Sequence, residues 1–252
     1  MTKVLVATHK QATMPQGAHY LPIQVGAKLS ATELGLVRDD SGTNISHKNQ
    51  SYCELTGVYW AWKNLDAPVI GLAHYRRLFV EPGFNPVGKI PISNTTITTL
   101  LEEYDVLLPK KRHYWVETNY SHYIHAHKKE PLDVMREVIA DAHPKYLPAL
   151  DLVFNRRSAH MFNMFIMKQE FFESYCQFMF DVLERVEERI DITTFDPVEK
   201  RVFGYLSELL MDIWLETEKP RYKEISYRFT EKQNWPKKIW HFALRKIESQ
   251  PK

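Results

Sequence analysis

Short apolar runs of β type recur along this chain with helix-patterned segments between them, and that alternation limits the fold more than any other feature. KVLVAT (3–8), PVIGLA (68–73), DVLLP (105–109) and HMFNMFIM (160–167) each read as a strand. SYCELTGVYWAWKN (51–64) is helical, with Leu55, Val58, Tyr59 and Trp62 on one face and Ser51 and Glu54 at capping-box spacing. TITTLLEEY (96–104) and LDVMREVIADA (132–142) are further helices. In the segment 170–190, Phe171, Tyr175, Phe178, Val182, Val186 and Ile190 keep the period of a long amphipathic helix. A last helix opens at DPVE, where Asp196 suits the N-cap and Pro197 the first helical position. Strands separated by helices specify an α/β layered sheet. Such sheets bind ligands outside the carboxyl ends of their strands.

At 252 residues with 44% hydrophobic content, the chain can bury one large core, and disorder as a class is excluded. No apolar run is long enough to cross a bilayer, and MTKVLVATHK lacks the cleavage site of a signal peptide. Cys53 and Cys176 lie far apart in sequence and suggest neither a disulfide framework nor a zinc site, which points to a reducing cytoplasm. The chain holds no G-x-G-x-x-G, Walker loop, H-E-x-x-H, G-x-S-x-G or D-x-D.

The chemistry concentrates where PVIGLA ends in His74-Tyr75-Arg76-Arg77. Adjacent guanidinium groups repel unless an anion lies between them, and their planar forks suit phosphate or carboxylate oxygens. A structural carboxylate would satisfy them as well as a ligand. Lys48 and Asn49 precede a helix start, where free N–H groups and the helix dipole attract anions; a plain capped helix explains them equally. Glu54 reads as a cap partner. Arg201, Tyr205, Glu208 and Asp212 form a polar stripe at i, i+4, i+7 and i+11. On a solvated face that stripe is inert; bordering a cleft, it would place Glu208 as a general base with Arg201 or Tyr205 beside it. His122, His125 and His127 fall in a polar loop expected from Lys110 to Lys129, where exposure or substrate contact outweighs metal binding.

Together, NISHKNQSYCELTGVYWAWKN, IGLAHYRRLF, FNMFIMKQEFFESYCQFMFDVLERV and RVFGYLSELL resemble a bacterial family of capsular, exopolysaccharide and O-antigen glycosyltransferases long catalogued only as a domain of unknown function. The resemblance runs from Lys3 to about Leu215. It implies a GT-A-like, Rossmann-type nucleotide-sugar fold over residues 1–218, with a helical C-terminal part. The implied activity moves a hexose, galactose or galactofuranose in some members, from a UDP-sugar to a growing lipid-linked polysaccharide. GT-A enzymes usually hold the donor diphosphate through a metal on D-x-D. Here His74, Tyr75, Arg76 and Arg77 stand at the comparable position, so no cofactor is expected and donor binding is expected to be metal-independent. On this reading Thr8, His9 and Lys10 border the nucleotide, and Lys48, Asn49, Arg76 and Arg77 hold the diphosphate. Asn163, Arg201 and Tyr205 meet sugar or acceptor, and Glu208 deprotonates the acceptor hydroxyl if the reaction inverts at the anomeric carbon; a retaining transferase needs no such base. The alternative is a non-catalytic nucleotide- or polyanion-binding protein.

The charge is uneven. Residues 219–252 carry ten Lys/Arg against three Asp/Glu, so this extension is strongly basic while the whole chain is only +2. Its Trp235, Ile239, Trp240, Phe242 and Ile247 interleave with Lys237, Lys238, Arg245 and Lys246. That pattern suits either a terminal helix packed on the main domain or one docked peripherally on an anionic membrane at the cytoplasmic face. Nucleic acid is not an expected partner, because no stacking platform accompanies the basic residues.

Overall fold

The structure, a computed structural model, describes residues 1–83 and 90–231. The strands are β1 (Lys3–Thr8), β2 (Tyr20–Gln24), β3 (Val37–Arg38), β4 (Val69–His74), β5 (Arg77–Phe79), β6 (Val106–Pro109), β7 (Arg112–His113), β8 (Ser158–Ala159), β9 (Phe165–Lys168), β10 (Tyr222–Ile225) and β11 (Tyr227–Phe229). The helices are α1 (Asn49–Tyr52), α2 (Leu55–Asn64), α3 (Asn94–Glu103), α4 (Asn119–Ala126), α5 (Glu130–Ala142), α6 (Leu147–Asn155), α7 (Gln169–Glu187) and α8 (Val202–Glu218).

One sheet runs in the order β10-β6-β9-β4-β1-β2-β3, with β5 added to β4 and β11 to β5. Strands β4, β1, β2 and β3 are mutually parallel; β9 is antiparallel to both of its neighbours, β4 and β6. The chain leaves β1 toward β2 and β3, then returns to place β4 on the other side of β1. Strand order therefore reverses between β1 and β4, the crevice in which open α/β sheets bind ligands.

Alternation along each central strand builds two cores. Leu5, Ala7, Ile70, Leu72, Val106, Leu108, Phe165 and Met167 join the layer that includes α2, α5, α6, α7 and α8. Val4, Val6, Ala73, Leu107 and Ile166 join the opposite layer with Ile97 and Leu101 of α3. Strands buried on both faces are why KVLVAT and DVLLP read as continuous apolar runs. Gly71 admits β9: a Cβ there would lie 2.8 Å from Ile166 Cγ1 and 2.9 Å from the Phe165 carbonyl oxygen. Of the six apolar positions expected on one face, Tyr175, Phe178, Val182 and Val186 of α7 and Ile190 just beyond it are buried, and Phe171 packs half-buried against the same core.

Four expectations change. The segment 160–167 is not one strand: Phe162 and Asn163 take left-handed φ values of 78° and 54°, and β9 begins only at Phe165. The backbone N–H groups of His160 and Phe162 are committed instead to Asp212 (2.9 Å) and Glu208 (2.8 Å) of α8, so they cannot enter a ladder. The Ser51–Glu54 capping box does not form, because Cys53, at φ 51°, breaks the helix into α1 and α2. Ser51 Oγ donates back to the Lys48 carbonyl. The loop 110–129 contains α4, started by a capping box in which Ser121 stands where Glu or Gln is usual. Within it Glu117 accepts from Nδ1 of both His122 (2.8 Å) and His125 (2.9 Å), and His127 Nδ1 meets Glu199 (3.3 Å). Finally, no α-helix opens at DPVE: Asp196 Oδ1 accepts from the Val198 and Glu199 N–H groups (2.7 and 3.0 Å), but α8 begins only at Val202. The chain beyond residue 218 runs back to the main sheet, β10 beside β6 and β11 beside β5. The remainder of that extension, 232–252, with the aromatic and basic residues of the expected docking helix, lies outside the described residues.

Candidate active site

A cavity of about 610 Å³ opens at the carboxyl ends of β1 and β4. Ala7 and Thr8 come from β1 and His9 from the bend after it, and His74, Tyr75 and Arg76 come from β4 and the turn after it. Asn49, Gln50, Cys53 and Glu54 come from the α1–α2 corner, and Pro197, Lys200 and Arg201 from the approach to α8. Gly204 lets that corner sit against α8, since a Cβ there would lie 3.2 Å from Cys53 Sγ.

The walls are locally fixed. Thr8 Oγ1 donates to the Lys10 carbonyl (2.6 Å), turning the chain at the end of β1. The Tyr75 N–H reaches the Ala7 carbonyl (3.1 Å), and the His9 ring stands edge-on to Tyr75 at 5.6 Å. His74 is buried, and its Nε2 lies 2.6 Å from the Phe162 carbonyl. A carbonyl only accepts, so Nε2 carries the hydrogen; burial lowers the pKa of this imidazole and keeps it neutral.

Cations gather at the rim. Arg76 and Arg201 are exposed and Lys200 half-buried. Among the described residues none of the three forms an ion pair, whereas Lys10 pairs with Glu231 (3.1 Å) and Lys48 with Glu187 (2.6 Å). Arg201 Nε donates to Cys53 Sγ at 3.2 Å. His9 registers this field: partial burial, then the charges of Arg76, Lys10 and Arg201, lower its pKa. Deeper in, Glu54 Oε1 accepts from Asn163 Nδ2 (2.9 Å) and lies 4.0 Å from His74 Nε2.

Of the residues singled out in the sequence, Thr8, His9, Asn49, His74, Tyr75, Arg76 and Arg201 line this one cavity, and Lys10, Lys48, Arg77, Asn163, Tyr205 and Glu208 do not. Lys10 lies above the Tyr75 ring, 5.2 Å from its centroid. Lys48 is turned to Glu187, away from the cavity. The adjacent arginines part company: Arg76 joins the rim, while Arg77 stacks over Phe162 (4.1 Å) and Phe229 (5.4 Å). Asn163 is consumed internally, donating to Glu54 and the Gly204 carbonyl and accepting from Ser207 Oγ (2.8 Å). Tyr205 stacks on His127 at 4.1 Å.

Glu208 sits on α8 behind the 160–164 turn, half-buried, with Oε1 on the Phe162 N–H. Burial foremost, opposed by that hydrogen bond and reinforced by the charge of Glu54, pushes its pKa up to about 7. Sequence reasoning missed Gln50, Cys53, Glu54 and Lys200. The S-x-x-E capping pattern of Ser51 and Glu54 hid Glu54, and only the break at Cys53 turns that carboxylate into the cavity wall.

A family model described as "Domain of unknown function (DUF4422)" matches residues 3–219. Among solved structures, one described as the WbbM bifunctional glycosyltransferase in its apo form superposes with a TM-score of 0.83 at 28% sequence identity. The match covers 92% of this chain and 45% of that one, so the chain spans under half the length of that relative. No curated protein matches. The sheet order, the helical layers and this likeness make the fold α/β of the GT-A-like, Rossmann type.

Proposed function

The chain belongs to the DUF4422 family, and on that premise we propose that it is a glycosyltransferase that takes a hexose from a UDP-sugar. The observation that carries this reading is the unpaired cationic rim of Arg76, Lys200 and Arg201 at the reversal point of a GT-A-like sheet. A departing nucleoside diphosphate develops negative charge, and preorganised cations in a partly enclosed cleft stabilise that charge more than bulk water does. The likeness to a glycosyltransferase adds support.

In this account Thr8, His9, Lys10 and Asn49 border the nucleotide, and Arg76, Lys200 and Arg201 hold the diphosphate without a metal. Arg201 and Lys200 thus take the part first given to Arg77 and Lys48. Arg77 and Asn163 support the wall, and His74 and Tyr75 shape it. Glu208, which lies behind the 160–164 turn rather than on the cavity wall, is the general base for an acceptor that approaches from its own side of that turn. A carboxylate whose pKa lies near 7 is half ionised at neutral pH and accepts a proton more readily than an ordinary one. It takes the acceptor hydroxyl's proton as the new glycosidic bond forms and the bond to the diphosphate breaks. Galactose or galactofuranose is the favoured hexose, and a lipid-linked glycan at the inner membrane face is the favoured acceptor. Among the described residues no helix is long and apolar enough to cross a membrane.

Calorimetric titration with UDP and with uridine in EDTA tests the site. UDP should bind without divalent metal, and Arg76→Ala with Arg201→Ala should weaken UDP at least tenfold while changing uridine little. Binding that vanishes with chelator and returns with manganese, or equal losses for both ligands, refutes the arginine rim. Nucleotide binding without glycosyl transfer to any acceptor would return the chain to a non-catalytic binder.

A further inference from the structure

The cavity is electrically graded. Its rim carries Arg76, Lys200 and Arg201, two of them exposed, whereas its acid, Glu54, is recessed with a side chain only 16% exposed. No cation neutralises Glu54 directly among the described residues. The nearest imidazole, His74, stands 4.0 Å away and is neutral, its Nε2–H given to the Phe162 carbonyl. Asn163 fixes one carboxylate oxygen, Oε1, and Asn163 is itself held by Gly204 and Ser207. Oε2 has no hydrogen-bond partner among the described residues. A half-buried carboxylate with one oxygen pinned and one open is a fixed double acceptor, and fixed polar groups discriminate strongly because they cannot turn to suit a wrong ligand.

Resting on the UDP-sugar reading, we infer that Glu54 selects the donor's glycosyl group: it accepts hydrogen bonds from the hydroxyls of a neutral sugar and rejects an acidic one. With the diphosphate on the cationic rim, the sugar end of the donor is directed toward the recessed acid. A neutral hexose offers hydroxyl donors to Oε2. A hexuronate would bring a second carboxylate up to Glu54, a like charge, while the rim cations Arg76, Lys200 and Arg201 are taken up by the diphosphate. Asn163, first read as a sugar contact, acts here through Glu54 as its positioning residue.

Calorimetric titration of wild type, Glu54→Gln and Glu54→Asp with UDP, UDP-galactose, UDP-glucose and UDP-glucuronate tests the assignment. Gln keeps the acceptor for Asn163 and replaces the open oxygen with a donor, so the wall should remain folded; Asp keeps the charge. Wild type should bind a neutral UDP-hexose at least tenfold more tightly than UDP-glucuronate. Glu54→Gln should close that gap while leaving UDP itself within about twofold, and Glu54→Asp should preserve the gap. A wild type that binds both donor types equally, or a gap that survives in Glu54→Gln, overturns the assignment while the nucleotide site stands. If UDP itself does not bind, the nucleotide reading fails and the Glu54 assignment falls with it.

Discussion

Replacing Glu208 with Gln should stabilise this protein at pH 8 and leave it unchanged near pH 4. The carboxyl is half-buried on α8 and its pKa rises from an ordinary 4.5 to about 7, chiefly through burial. A carboxyl pKa raised in the folded state means that folding favours the protonated form. Below pH 4.5 both folded and unfolded chains are protonated and Glu208 exacts no penalty. Between pH 4.5 and 7 the unfolded chain ionises first, so stability falls as pH rises; above 7 the penalty is constant. At 1.36 kcal/mol per pH unit the full penalty is about 3 kcal/mol, and solvent access to a half-buried group reduces it to about 1–2 kcal/mol. Gln keeps an oxygen for the Phe162 N–H and carries no charge, so it should recover that amount. In a chain of this size the gain corresponds to a melting temperature higher by about 2–8 °C at pH 8. Thermal denaturation of both proteins at pH 4.5, 6 and 8 gives the answer. A difference that is the same at every pH would show that Glu208 is not held protonated by the fold. If Glu208 is also the base, Glu208→Gln should lower turnover by about 10²–10⁴-fold with donor affinity little changed. Wild-type activity should then rise through pH 7 as the carboxyl ionises. Retained turnover would return Glu208 to a structural role.

Two further outcomes are expected. Asn163→Ala removes a side chain that makes hydrogen bonds to Glu54, Gly204 and Ser207 at a left-handed φ of 54°; chemical denaturation should show a loss of about 2–4 kcal/mol, and a loss below about 0.5 kcal/mol would mean that the turn is held from elsewhere. Residues 232–252 carry six Lys/Arg against one Asp/Glu, and each base near an anionic surface adds about 1 kcal/mol of attraction; the full chain should co-sediment with anionic vesicles at low salt and a chain ending at Glu231 should not, whereas equal behaviour of the two removes the membrane role from this segment.

The sequence by itself determined the layers. Residues 3–8, 68–73 and 105–109 are apolar on both faces, and strands buried on both sides of a helix-covered sheet are the simplest way to bury them; the period of 170–190 likewise fixed the buried face of α7. It also pointed to the end of β4 as the candidate site, because charged forks directly after a core strand begin at the sheet's carboxyl edge. What it could not determine was which of those side chains would meet. Arg76 and Arg77 are neighbours in sequence, but a turn directs one to the cavity and lays the other on Phe162 and Phe229. Glu54 reads as a helix cap until Cys53 breaks that helix, and its partner Asn163 lies 109 residues away. The apparent strand at 160–167 is cut short by two carboxylates of α8, Glu208 and Asp212, that take its backbone donors. Local propensity is written in neighbouring residues and is legible there; a side chain's partner is set by which distant elements the sheet order brings together, and only the tertiary structure contains that information.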